Sequence, residues 1–151
     1  MKHPVALCLT FCLMMVAVIA QTAVAAEIGQ IKKLSNSVHI LRGDKKIAAV
    51  PGELLHREDT VLTGADSKVG ITFIDNSRFS LGADSQVELS RFNFNPTTQE
   101  GRFVTTVKRG TLVVVSGKIA KFSPDAMKVR TRTSMISVRG TKFMVKVSDS
   151  D

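Results

Sequence analysis

The chain has 2 cysteines, no tryptophan, no tyrosine and 4 prolines in 151 residues, and each shortage excludes something. Both cysteines, Cys8 and Cys12, lie in an amino-terminal apolar run. If that run is removed, no thiol is left for a disulfide, a thiolate nucleophile or a thiolate metal site. Folding is then indifferent to redox conditions and stability comes from core burial, which a domain well above about 40 residues can supply unaided. Without Trp or Tyr the chain lacks the side chains with an apolar body and a polar tip on which sugar recognition usually leans. Beyond residue 26, apolar residues nowhere recur at spacings of three and four over several turns, so almost no helix is expected. Acidic residues are also scarce, 13 Asp and Glu against 21 Lys and Arg.

The apolar start has the build of a secretory signal peptide. Lys2 and His3 precede a nearly uninterrupted apolar stretch from Val5 to Ala20, and Gln21-Thr22-Ala23-Val24-Ala25-Ala26 offers small residues at cleavage spacing. Cleavage after Ala25 would use Ala23 and Ala25, and cleavage after Ala26 would use Val24 and Ala26. The first is expected, dividing the chain into a signal at residues 1–25 and a single all-β domain at residues 26–151. The run approaches the ~20 apolar residues needed to span a bilayer. The small-residue site directly after it favours cleavage over an anchor, so no stable membrane span is expected in the mature chain. Leu7 before Cys8 and Phe11 before Cys12 argue against lipid attachment, which would need a small residue there.

Taking Lys2 from the 21 cations leaves 20 against 13 acids, a net charge of +7 for the mature chain. Such a balance asks for an anionic or neutral partner. Export to the periplasm removes nucleic acid from consideration and leaves acidic protein surfaces or anionic envelope polymers.

What remains reads as short paired strands. Val69, Ile71 and Phe73 alternate with Gly70, Thr72 and Ile74, the period of two expected where one sheet face packs on a core. Asp75-Asn76-Ser77 then reverses the chain into Phe79 and Leu81, a hairpin. Gly64-Ala65-Asp66-Ser67 recurs 18 residues later as Gly82-Ala83-Asp84-Ser85, each copy a turn feeding a strand. A weaker echo links Arg109-Gly110-Thr111 and the strand after it to Arg139-Gly140-Thr141 and the strand after that. Self-similarity of this kind fits a solenoid-like roll, and short strands with regular turns also fit a β-sandwich. A first strand is expected at Ser37–Arg42, with Gly43-Asp44-Lys45-Lys46 as the turn of its hairpin. The pattern slips at Arg91-Phe92-Asn93-Phe94, which predicts a bulge or an edge. A polar loop is expected at Asn95–Gly101. Gly110 should break one strand from the next, Leu112–Val115.

Several of these segments resemble the FecR domain family: Asp59-Thr60-Val61-Leu62-Thr63-Gly64, the strand to Phe73, Asp75-Asn76-Ser77, and the closing Val138-Arg139-Gly140-Thr141-Lys142-Phe143-Met144-Val145. The likeness runs from Glu27 to about Val147. It departs from the family pattern at Glu58 and Asn76, where Gly is common, and at Arg132, where Pro often follows the Thr. The best-known members of that family are membrane-spanning regulators whose periplasmic part senses an outer-membrane transporter and whose cytoplasmic part controls a sigma factor. The resemblance implies here only the periplasmic module, a secreted single-domain relative. Its implied partner is an envelope protein, one associated with the outer membrane.

No residue set promises catalysis, and no cofactor is expected. His39 and His56, with Glu58, Asp59 and Asp75 near in sequence, fall at no recognised ligand spacing, and both histidines read as surface groups. The Gly-Ala-Asp-Ser copies read as turn chemistry rather than calcium loops. The best candidate for partner binding is Lys128, Arg130 and Arg132, which alternate with Met127, Val129 and Thr131 and would set three cations on one strand face. The bland alternative is a solvated edge that resists unwanted pairing. The resemblance favours a protein-binding and signalling module of the envelope, and the cationic face offers an alternative, a binder of lipopolysaccharide or glycan.

Overall fold

The computed structural model describes residues 25–140 and 142–148. The expected signal peptide lies outside the described residues except for Ala25.

The described chain is nearly all β, as the alternation predicts. Its strands are β1 (Glu27–Ser35), β2 (Val38–Arg42), β3 (Lys45–Ala48), β4 (Leu54–His56), β5 (Thr60–Thr63), β6 (Lys68–Phe73), β7 (Arg78–Leu81), β8 (Gln86–Phe94), β9 (Gly101–Val115), β10 (Met127–Arg130), β11 (Met135–Ser137) and β12 (Lys142–Val147). One short helix, α1 (Lys118–Phe122), lies between β9 and β10. Three local expectations are corrected. The first strand begins at Glu27, because Ile28 and Ile31 are buried against the core. Lys45 and Lys46 belong to β3, leaving Gly43 and Asp44 as the turn. The segments on either side of Gly110 form one strand of 15 residues.

The strands make a single curled sheet. One half runs β4-β1-β6-β7-β9-β12 and the other β3-β2-β5-β8-β9-β10-β11, with β9 shared between them. All pairings are antiparallel except β9 with β10. The result is a roll, but the repeated turns are not successive coils of a solenoid. Gly64-Ala65-Asp66-Ser67 carries the chain from β5 to β6, and Gly82-Ala83-Asp84-Ser85 carries it back from β7 to β8. The two corners stack, the Asp84 N–H donating to the Gly64 carbonyl at 3.1 Å.

Each corner turns tightly because its Asp takes a positive φ, 55° at Asp66 and 49° at Asp84. The following Ser is fully buried and bonds the neighbouring corner. Ser67 Oγ accepts from the Ser37 N–H at 3.1 Å, and Ser85 Oγ accepts from the Thr111 N–H at 3.0 Å. Where β9 passes Ser85 it bends at Gly110, whose φ is +87°, and so leaves one half of the sheet for the other.

The halves close over one core. Phe73 and Phe79 from one half meet Phe92 and Phe103 from the other, with ring centroids 4.7 to 5.9 Å apart in five edge-on or stacked pairs. Val69, Ile71 and Phe73 all point inward, as their alternation predicts. The Arg109 and Arg139 echo has no shared role: Gly110 is pressed against Ser85, whereas a side chain at Gly140 would point into open space.

Candidate functional site

The cationic strand expected from the sequence is β10, and the structure keeps only two thirds of it. Lys128 and Arg130 stand on the outer face of the sheet while Met127 and Val129 are buried beneath them. Arg132 is not on the strand. The chain leaves β10 after Arg130 because Thr131 closes a turn onto Ser134: its N–H donates to the Ser134 carbonyl at 2.8 Å and its Oγ1 accepts the Ser134 N–H at 3.1 Å. Arg132 therefore lines a different cleft, beside Val145–Ser148.

Two arginines from other strands join Lys128 and Arg130. On the outer face β10 lies beside β9 with Lys128 opposite Val104 and Arg130 opposite Thr106, and β9 lies beside β8 with Val104 opposite Arg91. Arg102 precedes Val104 by two positions on that same face of β9. Arg91, Arg102, Lys128 and Arg130 line one groove of about 300 Å³ with Ser90, Val104 and Met135. Arg91 reaches this face through the slip in the β8 pattern. The register shifts between Glu88 and Arg91, so that Leu89 and Phe92 both point into the core while Ser90 and Arg91 are left outside. That bulge was legible, whereas the placing of β9 between β8 and β10 was not.

The acids near this face are already engaged. Glu88 is paired with Lys108 at 2.9 Å. The hydrogen bond from Lys108 holds the Glu88 carboxyl below the usual carboxylate range, with a smaller contribution from Arg130. Asp125 is paired with Arg139 at 2.9 Å. Among the described residues, Arg91, Arg102, Lys128 and Arg130 make no ion pair, which leaves their charge turned to solvent.

The other polar residues singled out from the sequence are structural. Asp59 is fully buried and holds Arg42 in a fork, Nε to Oδ1 at 2.9 Å and Nη2 to Oδ2 at 2.8 Å, which raises the Arg42 pKa. The same carboxylate accepts the His56 N–H at 2.8 Å. His56 is thus no open surface group, and its side chain packs beside Asp59 with Nδ1 3.9 Å from Oδ2. Glu58, just before, holds a φ of 69°, which is why glycine suits that position.

Asp75 and Ser77 are buried too, and do more than turn the chain. Asp75 takes the Ser77 hydroxyl at 2.7 Å, and Ser77 Oγ accepts the Gly117 N–H at 3.0 Å, tying the hairpin to the approach of α1. Among the described residues no three His, Cys, Asp or Glu side chains gather where a metal ion could be held. No described helix is long and apolar enough to cross a membrane.

A sequence model of the family described as FecR protein matches residues 59–151, more than half of the chain. No curated protein and no solved structure matches it. The match starts at Asp59, yet β1 to β4 are hydrogen-bonded into the same sheet as the matched strands.

Proposed function

The chain belongs to the FecR family, a signalling and non-catalytic family of the cell envelope, and from that premise we propose that it is an exported periplasmic module that binds an acidic protein partner on its Arg91, Arg102, Lys128 and Arg130 face. The observation that carries this reading is the composition of that face. Three arginines and one lysine, none ion-paired to a described residue, surround Val104 and the half-exposed Met135 on three adjacent strands. Arg and Met are enriched in protein–protein interfaces, because a guanidinium offers a planar fork to carboxylates and a thioether adapts its shape. Exposed cations also speed encounter with an acidic surface, an effect that salt weakens.

The test is crosslinking and capture from envelope extract with the wild type and with Arg91, Arg102, Lys128 and Arg130 all changed to Glu. The expected result is a partner crosslinked at this face, lost in the reversed variant and released by 1 M salt, where screening falls to about 3 Å. Arg132→Glu should leave capture intact, since Arg132 lies in another cleft. A partner retained by the fourfold variant at high salt would make these residues only a solvated face. Retention on immobilised lipopolysaccharide instead of any protein would point to the anionic polymer as ligand.

A further inference from the structure

The opposite outer face, on the half of the sheet built from β1, β6, β7, β9 and β12, is also cationic but of a different kind. Its register aligns three rows. Gln30, Thr72, Arg78, Val115 and Lys142 form the first, Lys33, Gly70, Ser80, Val113 and Met144 the second, and Ser35, Lys68, Gly82, Thr111 and Lys146 the third. The centre is low, because Gly70 and Ser80 bring little side chain, and the stem of Lys33 lies across Gly70. A groove of about 460 Å³ results. Around it stand Lys33, Lys68, Arg78, Lys142 and Lys146, all exposed. No acid occupies any of the three rows, and none of these cations is paired with a described acid. Val113 and Val115 are half-buried in the middle, and Met144 is 65% exposed at the edge strand.

We infer that this face docks the protein peripherally on an anionic lipid bilayer. Five strands at about 4.8 Å spacing spread the cations over roughly 20 Å, so they do not converge on one phosphate or carboxylate. They match a plane of many phosphates. Lysine, whose strongly hydrated charge sits on a long mobile stem, is depleted in ordered protein interfaces but serves polybasic membrane adsorption well. This face carries four lysines to one arginine, where the arginine face carries three arginines to one lysine. The valines and Met144 add an apolar strip that can settle among the headgroups.

The experiment is co-sedimentation of the chain, as recovered from the envelope of its expression host, with vesicles of phosphatidylcholine alone or containing a third phosphatidylglycerol. Neutral vesicles report any binding through the apolar amino terminus. Each cation near the surface raises binding about fivefold, so Lys68→Glu with Lys146→Glu should lower binding to anionic vesicles at least 25-fold. Arg102→Glu with Lys128→Glu changes the net charge equally and should lower it far less. Equal losses in the two variants, or none in either, would overturn the proposal, because binding would then follow net charge alone or not involve this face.

A second readout uses the absence of native Trp and Tyr. Met144→Trp places a lone fluorophore on the strip, and its emission should shift to the blue on anionic vesicles and stay unshifted on neutral ones. An unchanged emission on anionic vesicles, or soluble polyglutamate binding as tightly as they do, would overturn it as well. Since the arginine face is left intact by the Lys68 and Lys146 changes, failure here leaves the protein-partner reading standing.

Discussion

Replacing Gly110 by Ala tests the bend on which the roll depends. At φ +87° an added Cβ is disfavoured by about 1–2 kcal/mol. The new methyl also lands 2.6 Å from Ser85 Cβ, with Ser85 Oγ and Cα nearer still. Carbon atoms pack at about 3.5–4.0 Å, so β9 and the Ser85 corner must separate by about 1 Å, and such overpacking costs about 1–3 kcal/mol. The two effects together come to roughly 2–5 kcal/mol.

Gly43→Ala is the control, since Gly43 has a φ of +57° with no atom within 4 Å of the added methyl. It should cost only about 1 kcal/mol. With no Trp or Tyr to report, urea unfolding is followed by far-UV circular dichroism. At a slope of about 1.5 kcal/mol per molar, a loss of 3 kcal/mol moves the midpoint by about 2 M, against about 0.7 M for the control. Equal shifts in the two variants would refute the close approach of β9 to Ser85 and, with it, the stacked corner.

The remaining expectations use the same measurement. Phe103→Ala removes a fully buried ring that touches three others and should cost about 3–5 kcal/mol, whereas Thr72→Ala on the outer face should stay within about 0.5 kcal/mol; similar losses would mean the faces are misassigned. Glu58→Gly should stabilise by about 1 kcal/mol by relieving a left-handed backbone, and a loss of stability would show that the Glu side chain contributes more than its φ costs. Arg42→Met strands the buried Asp59 carboxylate and should cost about 3 kcal/mol or more, and adding Asp59→Asn should recover part of that; strictly additive losses would rule out the pairing as the cause. The pKa of Glu88 is lowered on folding by Lys108, so its contribution is present above the unfolded carboxylate pKa and lost as the pH falls through the lower folded value. Lys108→Met should therefore lower stability at neutral pH by up to about 1 kcal/mol and not at pH 2; the same loss at both would refute an electrostatic origin.

The order of residues along the chain carries the class of fold and much of its local detail. Val69, Ile71 and Phe73 had to share one face because side chains alternate along a strand, and the broken alternation near Arg91 announced a bulge. The reversal at Asp75-Asn76-Ser77 was equally legible, since residues that tolerate a positive φ mark where a chain can turn. Such rules act over a few neighbours, and so a few neighbours reveal them.

Tertiary structure alone decided which strands lie side by side. The 18-residue repeat looked like successive coils, but its two turns stack while the chain passes them in opposite directions, an outcome of hydrogen bonds linking Thr63 and Gly64 to Gly82, Asp84 and Ser85 that no local pattern encodes. Arg91 and Arg102 joined Lys128 and Arg130 only because β9 separates β8 from β10, whereas Arg132 was lost when Thr131 found Ser134. Likewise the lysine face gathers residues from Lys33 to Lys146. Pairing partners that far apart in sequence are chosen by whichever arrangement buries the phenylalanine cluster and satisfies the corner serines. A charge pattern confined to one strand shows what that strand can expose, and the neighbours chosen by the core show what the surface becomes.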